Sequence, residues 1–197
     1  MTKIDFIQLG ACIGKSDSDI IWIIGPKFNW RGIFVEPNPF AFEKLKNYYA
    51  NIEGHYFEQV AVADTAQDDL TLYYKAICSQ VGSLYQNFRH DSKVQVSSLT
   101  LTDIVSKYNL LNVEFELLQI DIEGKDGEVI MSTDFNTILP KIIRYESIHM
   151  SNHEISKIKN YLEGYGYAAI NDPYYKYYKE VGGKEPEEFN TVFKRGV

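Results

Sequence analysis

The chain has 197 residues, 45% of them hydrophobic and 24% charged, a balance that suits one soluble domain with a single sizeable core. Its 20 basic and 27 acidic side chains leave a net charge of −7, which argues against duplex nucleic acid as the main partner, because phosphate neutralisation needs a basic face. The two cysteines, Cys12 and Cys78, make no disulfide framework, and no apolar run approaches membrane-spanning length, so a cytoplasmic protein is expected.

The chain enters its first apolar run at once, with no signal-peptide pattern before it. Ile4–Leu9 reads as a buried strand, and Asp17–Ile24 as a short helix with Ser16 or Asp17 as its cap. Gly32–Glu36 is a second strand. Pro39–Tyr49 is a helix, with proline in the first turn, where its missing amide does no harm. His55–Val62 reads as a third strand, and Leu70–Tyr74 and Gln95–Leu99 as strands flanking a loop. Leu101–Tyr108 is a helix starting near Thr100 or Thr102. Phe115–Ile120 is a near-continuous apolar run, as a central parallel strand should be. A short helix over Lys125–Met131, a strand over Ile142–Ile148 and a helix over His153–Leu162 follow. Ala168–Ile170 and Thr191–Lys194 close the chain as short strands across a long loop with no obvious helix. Alternating strands and helices imply an α/β fold, a three-layer sandwich around a mostly parallel sheet. The last two strands suit an antiparallel hairpin at its edge.

Two segments carry the chemistry. Gln8-Leu9-Gly10-Ala11-Cys12-Ile13-Gly14 follows the first strand, and Glu36 ends the second. A strand, a glycine turn, a helix, a strand and an acid make half of a nucleotide-binding crevice, with the acid placed for ribose hydroxyls. The spacing departs from the three-glycine dinucleotide pattern, because Cys12 stands where a pyrophosphate needs bare backbone. S-adenosylmethionine carries no phosphate and tolerates a side chain there. A tight strand-to-helix turn without a ligand would show the same GxxxG.

The second segment, Gln119-Ile120-Asp121-Ile122-Glu123-Gly124, lies at the carboxyl end of the central run, where open α/β sheets bind ligands. Asp121 and Glu123 are expected at that edge, unless Asp121 caps the next helix and Glu123 is merely solvated. Glu146 and His149 end the adjacent strand. Either could act as a general base; a salt bridge from Arg144 to Glu146 and a surface position for His149 are the plainer readings. Asp121, Glu123 and Glu146 together could hold Mg2+, although such clusters often serve as bases or caps instead. The tyrosines of Tyr174-Tyr175-Lys176-Tyr177-Tyr178 read as a cover for the sheet edge, and Cys12 as a small hydrophobe.

Taken in order, Leu9–Gly14, Val35-Glu36-Pro37-Asn38-Pro39, Ala61-Val62-Ala63-Asp64, Thr100-Leu101-Thr102-Asp103, Ile120–Gly124, Glu146 with His149, and Gly164–Tyr167 resemble the FkbM family of S-adenosylmethionine-dependent methyltransferases. The resemblance implies a class I methyltransferase (Rossmann-like) fold over residues 1–197 and O-methylation of a sugar or another small hydroxylated acceptor. By this match Gly10 and Gly14 would line the methionine part of the cofactor, Glu36 the ribose, Asp64 or its neighbour Ala63 the adenine edge, and Asp121 the donor or acceptor, with Gln8, Ala11 and Pro37 as further cofactor-binding candidates. Asp121, Glu123, Glu146 and His149 are the catalytic candidates. Four positions depart from the family: Gln8 and Thr102 replace acids, Cys12 an asparagine, and Gln119 a lysine. The Gln8 departure leaves the contact to the cofactor's amino group unassigned. Since the chain opens on its first strand, cover for the site is expected from elsewhere in the chain or from a partner. A cofactor-binding module without turnover and an NAD(P)-dependent oxidoreductase are the alternative expectations.

Overall fold

The computed structural model of the protein describes residues 3–16, 19–75, 78–84, 91–148, 150–181 and 190–196. The elements, in chain order, begin with β1 (Phe6–Leu9), α1 (Ile20–Phe28), β2 (Gly32–Val35), α2 (Pro39–Tyr49), β3 (Tyr56–Glu58) and β4 (Ala61–Val62). Next come β5 (Gln67–Lys75), β6 (Cys78–Ser83), β7 (Ser92–Leu99), α3 (Leu101–Lys107), β8 (Glu114–Ile120) and α4 (Asp126–Ser132). The last are β9 (Leu139–Glu146), α5 (Asn152–Gly164), β10 (Tyr167–Ile170), α6 (Tyr175–Glu180) and β11 (Asn190–Arg195).

Seven strands form one sheet in the order β10-β11-β9-β8-β1-β2-β3. β1, β2, β3, β8 and β9 run parallel, and β11 lies antiparallel between β9 and β10. Side chains alternate across the sheet with period two. Ile7, Leu9, Ile33 and Val35 join one core with Leu101, Ile104, Val129, Ile158 and Leu162, so α3, α4 and α5 cover that face. Phe6 and Phe34 join the opposite core with Ile20, Ile24, Phe42, Leu45 and Tyr174. This is the expected three-layer sandwich, and both faces of its central strands β1 and β2 are buried.

Local signals explain the helix starts. Asn38 Oδ1 accepts the Phe40 amide and Pro39 takes the first turn of α2. Thr100 with Asp103 and Ser151 with Glu154 form capping boxes at α3 and α5. The first helix differs from expectation. It begins at Ile20, capped by Asp19, and continues through Pro26 to Phe28 (Asp17 lies outside the described residues).

The expected strand over His55–Val62 is two strands in two sheets. β3 ends the large sheet, whereas β4 pairs with β7 in a second sheet of order β4-β7-β5-β6. The loop after β10 also holds a helix, α6. Tyr174 packs edge-on against Trp30 at 5.6 Å, and Tyr177 against Phe28 at 5.5 Å. The tyrosine run therefore packs against the α1 side of the sheet. Among the described residues, no helix is long and apolar enough to cross a membrane.

Candidate active site

The carboxyl ends of β1, β2 and β8 meet at one cleft, and backbone hydrogen bonds fix them together. Val35 O accepts the amides of both Gly10 and Ala11 at 3.0 Å, and Leu9 O accepts that of Asp121 at 3.0 Å. The turn after β1 carries positive φ at Gly10, Cys12 and Gly14 (77°, 50° and 64°). A Cβ on Gly10 would stand 1.7 Å from Asp121 O, so glycine is required there by both space and torsion.

Glu36 lies just past β2 and is buried. Its Oε2 accepts the Cys12 amide at 2.7 Å and its Oε1 the Asn38 amide at 2.8 Å. Burial pushes this carboxyl up to about 7 despite those two donors. Burial, and then the Glu36 charge, push the half-buried Cys12 thiol up to about 12, which makes it a poor nucleophile.

Two cavities share this turn. The first is lined by Gly10, Glu36, Pro37, Asp121 and Glu123 together with the apolar side chains Val35, Val60, Val62, Leu72, Leu84 and Ile122. The second runs along the turn from Gln8 through Gly10, Ala11 and Gly14 to Asp19, Gln119, Asp121, Glu123, Arg144 and Asn190, and its lining is mostly polar. Thus Gln8, Gly10, Ala11, Gly14, Glu36, Pro37, Asp121 and Glu123 all line one or both of these cavities.

Other anticipated residues do not join them. Ala63 is buried with its amide on Leu99 O at 3.1 Å, Asp64 is exposed, and neither lines either cavity. The chain has already left the large sheet at that point, and Val60, Ala61 and Val62 face the cleft instead. Glu146 lines a separate cavity between α4 and α5 with Met131, Met150 and Ile158. Arg144 ion-pairs with Asp172 at 2.9 Å, and its Nη1 donates to Gln119 Oε1 at 3.0 Å. His149 lies outside the described residues. Asp121 does not cap α4; that helix starts at Asp126, whose Oδ2 accepts the Gly124 amide at 3.4 Å. Thr102 is exposed on α3, away from the cleft. Among the described residues, no group of three His, Cys, Asp or Glu is arranged to hold a metal ion.

The cover comes from the second sheet. The end of β6 reaches over the cleft, where Ser83 Oγ donates to Glu123 O at 3.0 Å and Leu84 joins the lining. Asp19, on the floor of the second cavity, was unforeseen.

A mostly parallel seven-stranded sheet with one reversed strand set between its last two neighbours, and a glycine turn and acid at its switch point, defines a class I methyltransferase. The chain belongs to the FkbM methyltransferase family, whose domain model (Methyltransferase FkbM domain) matches residues 8–169. It is accordingly an S-adenosylmethionine-dependent methyltransferase.

A search of curated proteins gave no match. Solved structures do match. One is a precorrin-6y C5,15-methyltransferase from Geobacter metallireducens GS-15 (TM-score 0.43, 11% identity, 86% of this chain and 66% of that one). Another is the YcgJ protein from Bacillus subtilis (TM-score 0.43, 9% identity, 95% and 74%). A third is StiE O-MT residues 961–1257 (TM-score 0.46, 8% identity, 98% and 68%). The chain spans just under two thirds of the first of these.

Proposed function

We propose that this cleft binds S-adenosylmethionine across its two cavities and methylates a hydroxyl of a sugar or similar small polyol. The observation that carries the reading is the Glu36 carboxylate. It is buried, joined to the glycine turn through the Cys12 amide, and open to the first cavity. A carboxylate has about four acceptor positions. The Cys12 and Asn38 amides use two, which leaves two for a ribose diol. The apolar walls from Pro37, Val60, Val62, Leu72 and Ile122 suit a flat adenine ring. The second cavity also holds a buried, unpartnered Gln8 Oε1, which suits a donor on the methionine part. The residues present therefore fit the cofactor.

When bound, the cofactor supplies a methyl group already activated on a sulfonium. The chain's work is then alignment and proton removal. Asp121 and Glu123 line both cavities, so either carboxylate is placed to take the proton of an acceptor hydroxyl. Gln8, Gln119, Arg144 and Asn190 give the second cavity a set of hydrogen-bonding groups that favours a polyhydroxylated acceptor over an apolar one. The Ser83–Glu123 link holds the end of β6 over the cleft and limits water there.

The test is calorimetry with S-adenosylhomocysteine, followed by a panel of sugars and polyols scored for S-adenosylhomocysteine release. Binding with hydroxyl-dependent turnover is the expected result. No binding at saturating concentrations would overturn the assignment of the cleft, and turnover only on amine or carbon acceptors would overturn the hydroxyl.

A further inference from the structure

The second cavity is lined by Gln8, whose Oε1 is buried without a hydrogen-bond partner, and by Asp19, whose Oδ2 accepts one long bond, from Gln8, among the described residues. Gln8 is only 6% exposed; its Nε2 donates to Asp19 Oδ2 at 3.3 Å, while its Oε1 is buried without a hydrogen-bond partner. Turning the amide over would set Oε1 against the Asp19 carboxylate, so the Asp19 contact fixes its orientation. Asp19 caps α1 with one oxygen only: Oδ1 accepts the amides of Ile21 at 2.8 Å and Trp22 at 3.1 Å. Its Oδ2 meets the Gln8 amide. The nearby cation, Arg144, is committed to Asp172 and Gln119. A buried amide oxygen without a donor is costly.

We infer that Gln8 Oε1 and Asp19 Oδ2 together seat a primary ammonium group, which, on the cofactor reading given above, is the α-ammonium of the methionine part. An ammonium brings three donors and one positive charge, matching an amide oxygen without a donor and a carboxylate whose nearby cation is hydrogen-bonded elsewhere. The negative charge missing at position 8 is thus supplied from the first cap of α1, 11 residues along the chain. Burial holds the Asp19 carboxyl above its ordinary range in the free protein, and a positive charge seated beside it would draw it back down.

The test compares S-adenosylhomocysteine with its deaminated analogue by calorimetry, on the unaltered protein and on Asp19→Asn. Asparagine caps a helix as well as aspartate, so this variant keeps α1 while removing the charge. The unaltered protein is expected to bind the deaminated analogue about 10- to 100-fold more weakly, the effect of one charge-assisted hydrogen bond. In Asp19→Asn, S-adenosylhomocysteine should fall toward the affinity of the analogue, whose own binding stays within about twofold. Equal binding of the two ligands by the unaltered protein would overturn the ammonium seat and leave the cofactor reading standing. So would equal weakening of both ligands in the variant. An unaltered protein that binds neither ligand would overturn the cofactor reading, and this inference with it.

Discussion

The Glu36 carboxylate accepts the amide of Cys12 across 24 residues of sequence, at 2.7 Å, and so ties the end of β2 to the turn after β1. One side chain thereby shapes the turn and faces the cavity. Glutamine keeps a single acceptor oxygen and loses one of the two amide bonds. Glu36→Gln should weaken S-adenosylhomocysteine binding by about 10- to 100-fold, in line with loss of a charge-assisted hydrogen bond. Unchanged affinity in a calorimetric titration would place the ribose contact elsewhere.

Burial also makes Glu36 a source of pH-dependent stability. Its carboxyl is raised from the usual 4.5 to about 7 in the folded protein. Between those values the native state holds a proton that the unfolded chain releases, so stability falls as pH rises through this window. Complete ionisation removes about 3 kcal/mol of the stability present at low pH. Asp126, pushed up to about 6 by burial, acts in the same direction at lower pH. Urea midpoints measured from pH 4 to pH 8 should show a decline whose upper part, near pH 6 to 7, disappears in Glu36→Gln. An identical slope in both proteins would contradict the assignment.

The turn itself can be probed at Cys12, which sits at φ 50°. Asparagine tolerates that region better than other side-chain-bearing residues, and a β-branched side chain is strained there. Cys12→Val should cost about 1–3 kcal/mol and Cys12→Asn about zero or slightly less, as read from thermal or urea unfolding. Equal effects from the two substitutions would mean that torsion is not what selects the residue.

Gly10→Ala is a harsher change. The new methyl group would meet Asp121 O at 1.7 Å, at a backbone φ of 77°. The Leu9–Asp121 backbone bond would have to open, and we expect a loss of about 4 kcal/mol or more. A variant that unfolds at the wild-type midpoint would show that the β1–β8 junction can relax.

At the far side of the cleft, Arg144 and Asp172 are both buried and paired. Arg144→Met leaves the Asp172 carboxylate without its cation, which should cost about 3–5 kcal/mol. Adding Asp172→Asn should return part of that loss, since the buried charge is then gone. Denaturant unfolding of the two single variants and the double variant measures the coupling.

The sheet and the glycine turn were legible because their signals are local. Pro39–Tyr49 was read to its exact ends, since Asn38 and Pro39 mark the start and Phe42 and Leu45 keep one face apolar. Glu36 and Asp121 were legible because each directly follows an apolar strand. His55–Val62 was misread because both of its halves are extended and apolar in pattern; periodicity does not say which sheet a strand will join. The Arg144–Asp172 pair and the Ser83–Glu123 link span 28 and 40 residues, and nothing in composition or spacing announces contacts of that range. Asp19 is not singled out by its surroundings, because Ser16 and Asp17 offer the same capping chemistry two or three residues earlier.

The position of β11 carries a consequence for synthesis. β10 has its ladder partner in β11, which also bonds to β9. A ribosome delivers β10 some twenty residues before the strand that must slide in beside it. Until then, the free edges of β9 and β10 face each other across an empty slot, open to pairing with another nascent chain. Translation speed between β10 and β11 therefore bears on how much of the protein reaches its native state.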